Sequence, residues 1–94
     1  DMELLDAYAE RSLADATVDG ALSVEALERL APAIRTRVLR LAALAAGAPG
    51  GELFHQHVLA MEALVTGWHG QKWVDLPGRL RAVRREGALL IEGG

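Results

Sequence analysis

Along the first part of the chain Leu4, Leu5, Tyr8, Leu13 and Ala16 recur at helical spacing, with Asp6, Glu10 and Asp15 on the remaining arc. That pattern predicts an amphipathic helix over residues 2–17, which "VDG" then stops. Ser23 follows as a helix start. Ala26 stands where a reciprocal capping box would need Glu or Gln, so Ser23 is read as a plain N-cap of a short helix over 24–30. Pro32 suits the first position of a third helix over 32–46. In it Ile34, Val38, Leu41 and Ala45 make one stripe while Leu39 and Leu44 fall outside, so cover on two sides is expected. Arg35, Arg37 and Arg40 spread over the rest of its circumference, and at least one should face solvent. "GAPGG" at 47–51 ends this helix. Phe54, Val58, Met61 and Val65 then define a fourth helix over 52–66.

Beyond Gly67 the pattern shortens into three strand candidates, 72–76, 80–85 and 88–91. Pro77-Gly78 and Glu86-Gly87 supply the turns between them. The expected fold is α+β: about four helices followed by a small antiparallel β meander. Residues 1–94 read as a single domain, with a helical part over 1–66 and the meander over 67–94.

Composition narrows the picture. The hydrophobic fraction of 51% overstates the core, since 17 of those residues are Ala, which buries little area and mainly favours helix. The absence of Cys excludes a disulfide framework, a thiolate metal site and a Cys nucleophile. No apolar run reaches the length of a membrane span, and "DMELLDAYAE" is acidic where a signal peptide would be basic. A soluble, cytoplasmic protein is expected, with no membrane partner. Because Asp1 already lies inside a helical pattern, the chain is expected to be a fragment of something longer.

The net charge of −3 conceals a division. Residues 1–31 carry eight acidic against two basic side chains. Residues 32–85 carry eight basic ones (Arg35, Arg37, Arg40, Lys72, Arg79, Arg81, Arg84 and Arg85) against Glu52, Glu62 and Asp75, a local charge of +5. The second region is the candidate phosphate-facing surface.

Other candidate chemistry is sparse. His55 and His57 lie two apart on a predicted helix, so they point away from each other and cannot share an ion. No metal site is expected. His69 is placed in the joint "GWHGQKWVDLPG", hydrogen-bonding the turn or touching RNA. Trp68 and Trp73 either pack the helix end against the sheet or offer a stacking platform for bases. "GAPGG" lacks the Lys-Ser/Thr ending of a phosphate loop, and no catalytic constellation stands out.

Two segments carry a family likeness. "LERLAPAIRTRVLRLAALAAGAP" resembles the helical segment that follows the catalytic domain in bacterial tRNA(Ile)-lysidine synthases. "HVLAMEALVTGWHGQKWVDLPGRLRAVRREGALLIEG" is similar to the same family's next helix, its "G-Q-x-x-V-x-L-P-G" joint and the strand pair ending "R-x-G-x-L". The likeness covers residues 3–93. The departure is Arg79, where the family often has a second Gly after Pro-Gly.

This resemblance implies an ATP-dependent ligase in which an N-terminal catalytic domain, using ATP with Mg2+, adenylates C2 of the wobble cytidine in a CAU-anticodon tRNA(Ile). Free lysine then displaces AMP. The family's Ser-Gly-Gly-x-Asp-Ser motif does not occur in this chain. The resemblance therefore implies that these residues bind no ATP themselves and help to hold tRNA against the catalytic domain of the same polypeptide. On that reading all eight cations above are RNA-binding candidates, and Arg81→Ala with Arg84→Ala should weaken tRNA binding and flatten its salt dependence. Two rivals stand beside it. A winged-helix nucleic-acid-binding module shares the outline of helices followed by a basic hairpin, although its recognition helix, 52–66, has no Lys or Arg. A non-catalytic structural docking module would use the acidic helix 2–17.

Overall fold

A computed structural model describes residues 2–94. Among them four helices pack on a five-stranded antiparallel sheet, in the order α1 (Met2–Ala16), β1 (Thr17–Val18), β2 (Ala21–Ser23), α2 (Val24–Glu28), α3 (Pro32–Ala45), α4 (His55–Thr66), β3 (Trp73–Leu76), β4 (Leu80–Arg85) and β5 (Ala88–Gly93). The fold class is α+β, as the hydrophobic pattern predicts. The sheet is larger than expected. β1 and β2 form a hairpin between the first two helices, and β2 pairs with β5, giving the order β1-β2-β5-β4-β3.

Local chemistry sets the boundaries. Asp19 (φ 51°) and Gly20 (φ 81°) both take positive φ between the paired Val18 and Ala21, the arrangement of a two-residue type I′ hairpin. "VDG" therefore reverses the chain as well as ending the helix. Ser23 caps α2, its Oγ accepting from the Ala26 N–H at 3.1 Å. α3 closes in a Schellman arrangement, with Ala48 N–H donating to Ala43 O and Gly47 N–H to Leu44 O, each at 3.0 Å. α4 starts three residues later than its hydrophobic pattern suggests. The His57 ring turns back so that Nδ1 accepts the Phe54 N–H at 2.9 Å, which fixes the helix start.

The core lies between the helices and one face of the sheet. Leu27, Val38, Leu39, Met61 and Leu64 from the helices are fully buried with Leu89 of β5, and Leu22, Leu76 and Ala82 join the same cluster. Burying each such leucine contributes on the order of 2 kcal/mol. Strand pairing fixes which residues share a face. Val74, Ala82 and Ile91 lie in one cross-strand row on the core side, whereas Trp73, Val83 and Leu90 lie in the next row on the opposite side. Val83 is buried yet stands outside the core cluster, as this alternation requires.

The turn between β3 and β4 is a three-residue loop, Pro77 to Arg79, closed by the Leu76–Leu80 pair. It packs on the loop after α3: a Cβ placed on Gly78 would sit 2.9 Å from Pro49 Cδ. Among the described residues no helix is long and apolar enough to cross a membrane.

Candidate nucleic-acid interface

The eight cations singled out by charge do not form one surface. Arg35 is 8% exposed; its Nε donates to Glu62 Oε2 at 2.9 Å and its Nη1 to Leu30 O at 3.0 Å. It joins α3 to α4 and faces inward. A partly buried pair of this kind leaves no charge for a phosphate, and removing one partner is costly. Arg37 donates to Ala33 O at 3.0 Å and lies 3.7 Å from the Asp6 carboxylate of α1. Arg40 ties the loop before α4 to α3 through a 2.7 Å bond to Leu53 O. The helix α3 group is therefore largely taken up by contacts within the domain.

The remaining five lie on or next to β3 and β4, divided between the two sides of the sheet. Arg84 is on the core side, where Nη1 donates to Leu64 O at 2.8 Å and to Val65 O at 3.3 Å. These are carbonyls of the last turn of α4, which a cation satisfies both by hydrogen bonding and through the helix dipole. Its guanidinium carbon lies 4.2 Å from the centroid of Trp68. Trp68 in turn donates its indole N–H to Gln71 O at 2.8 Å, and the Gln71 side chain accepts from His69 N–H, also at 2.8 Å. So the joint "GWHGQ" is a knot of short-range bonds with Arg84 on top, and His69 hydrogen-bonds the turn. The Arg84→Ala substitution suggested by charge alone would test this joint.

Arg81 and Arg85 project from the outer face of β4, opposite the helices. Arg85 is exposed and pairs with Glu92 at 3.3 Å. Arg81 lies in a cross-strand row between Asp75 and Glu92, but its guanidinium carbon stacks 4.5 Å from the Trp73 centroid. Lys72 and Arg79 are exposed at the two ends of the β3–β4 hairpin. Arg79 has φ 60°, so the position where the resembling family often has Gly does adopt the left-handed backbone that Gly favours. Lys72, Arg79 and Arg85 are thus the exposed cations spread along the β3–β4 hairpin, with Arg81 half-buried between its ends. Spacing on β4 foretold their separation from Arg84 only in principle, through the alternation of strand faces.

Comparison with known proteins adds to this geometry. A family model described as TilS substrate binding domain matches residues 22–90, from the second residue of β2 to the middle of β5. The chain is 46% identical over 97 residues to a tRNA(Ile)-lysidine synthase of Streptomyces coelicolor, an alignment that covers 100% of this chain and 27% of that protein. It is 55% identical over 73 residues to one from Salinispora arenicola, covering 78% of this chain and 22% of the relative. With one from Thermobifida fusca it shares 45% identity over 92 residues, covering 97% and 28%. The chain thus spans only about a quarter of the length of these relatives.

Proposed function

Because the chain belongs to the TilS substrate binding domain family, we propose that it positions tRNA for a tRNA(Ile)-lysidine synthase whose catalytic domain lies elsewhere in the same polypeptide. The observation that carries this reading is the exposed cation set Lys72, Arg79 and Arg85 along the β3–β4 edge of the sheet, in a domain whose helix α1 is acidic. Phosphates are drawn to the first and repelled by the second.

The wider reading follows the family. The substrate is tRNA(Ile) with a CAU anticodon; ATP with Mg2+ and lysine belong to the catalytic domain, and the setting is cytoplasmic. This chain's residues do not fit ATP. Its glycine-rich loop at 47–51 closes α3 and packs against the Gly78 turn, and it lacks the Lys-Ser/Thr ending that would hold phosphates. No step of the ligation is assigned to it. What it supplies is affinity and orientation, by holding the RNA backbone without reading its sequence.

A salt series tests the proposal in the full synthase. Lys72→Ala, Arg79→Ala and Arg85→Ala should each reduce the log–log salt slope of tRNA binding by about one. Unchanged slopes in all three would reject it.

A second reading has its own observation. Leu4 is 71% and Tyr8 57% exposed on one flank of α1, on the side of the helix away from Asp6, which faces Arg37 of α3. This flank is suited to docking on the catalytic domain. The winged-helix alternative has less behind it, because α4 has no Lys or Arg along its length.

A further inference from the structure

We propose that Trp73, backed by Arg81, is a stacking platform for an unpaired base of the bound RNA; this deepens the tRNA-positioning reading and rests on it. The two Trp–Arg stacks of the domain differ in kind. At Trp68 the arginine is consumed by two helix carbonyls and the indole N–H by a turn carbonyl. At Trp73 neither partner has such employment. Asp75 and Glu92 are the cross-strand partners of Arg81, yet among the described residues Arg81 forms an ion pair with neither, and its buried Nε has no hydrogen-bond partner. Its guanidinium rests on the indole face, with Nε packed close to Gly94.

Trp73 remains 46% exposed. An indole stacked on a guanidinium and with nearly half its surface in solvent leaves apolar ring surface accessible, and the half-buried Leu90 lies in the same cross-strand row, with the buried Val83 between them. A planar ligand fits such a surface. The charge around it selects which one: Lys72, Arg79 and Arg85 are exposed nearby and attract a polyanion, while Asp75 and Glu92 beside Arg81 disfavour a phosphate directly on the stack. A nucleobase satisfies both conditions, with its ring on Trp73 and its phosphates displaced toward the outlying cations. Bases within a duplex are already stacked on each other, so the platform takes an unpaired nucleotide.

The test uses fluorescence and affinity together. The chain has two tryptophans, so Trp68→Phe leaves Trp73 as its sole indole reporter. Titration with a tRNA transcript, and separately with a short unpaired oligoribonucleotide, should quench that emission, while a blunt RNA duplex should quench it little. Trp73→Ala should weaken tRNA binding by roughly tenfold with an unchanged salt slope, and Trp73→Phe should recover most of the loss, which separates stacking from misfolding. Should tRNA bind normally, with Trp73 unquenched and Trp73→Ala matching the parent, the platform is wrong while the tRNA reading survives. If the parent protein binds no tRNA at all, the reading underneath fails as well.

Discussion

Gly78 occupies a position that two independent constraints deny to other residues. Its φ of 83° lies in the left-handed region, and a Cβ there would press on Pro49 Cδ at 2.9 Å. Gly78→Ala should therefore lower stability by about 2 kcal/mol and Tm by on the order of 10 °C, measured by thermal unfolding. A drop of less than a degree would mean that the two loops are not held together as described. Arg79, next to it, has the same backbone sign without the glycine. Arg79→Gly relieves a cost of about 1 kcal/mol, partly offset by the greater freedom of glycine in the unfolded chain. Stability should hold or rise slightly while tRNA affinity falls, so stability and affinity move in opposite directions. A joint loss would assign Arg79 a structural role instead.

At the scale of elements, the end of α4 depends on Arg84. Arg84→Ala removes the donors to Leu64 O and Val65 O and uncovers Trp68, which should cost about 2 kcal/mol. The salt slope of tRNA binding should not change, because the charge is already engaged inside the domain. A flatter slope with intact stability would return Arg84 to the RNA surface. Much of this architecture was legible in the sequence: the helix periodicities, the Ser23 cap, the Pro77-Gly78 and Glu86-Gly87 turns, and the antiparallel meander. The β1–β2 hairpin was not. Its strands of two and three residues are too short to show alternation, and β2 is secured by pairing with β5 at the far end of the chain. "DG" is a hairpin signal, but after a long amphipathic run it also reads as a helix stop. The burial of Arg35 was equally hidden, since its partner Glu62 lies on another helix and nothing local sets that pairing. Of the candidate interface, the cluster of cations was visible in the sequence; its division between two sheet faces followed from strand register, which short strands leave open.

Across the whole molecule, charge is arranged as a gradient. The α1 end is acidic and the β3–β4 hairpin basic, with the core between them. Such an arrangement orients the domain toward a polyanion before any specific contact forms, and it leaves the apolar flank of α1 for protein contact. Replacing Leu4 and Tyr8 together by Ser should leave tRNA binding by this chain unchanged, yet loosen the catalytic domain in the full synthase, seen as faster proteolysis between the two. Equal proteolysis rates would remove α1 from that interface. The central claim concerns the other end, and it is tested most directly by measuring tRNA affinity of the 94-residue protein over a range of salt, beside its Lys72→Ala, Arg79→Ala, Arg85→Ala triple variant. The account predicts measurable binding by the parent, with a log–log slope that becomes shallower by about two to three in the triple variant. Equal slopes and equal affinities would contradict it.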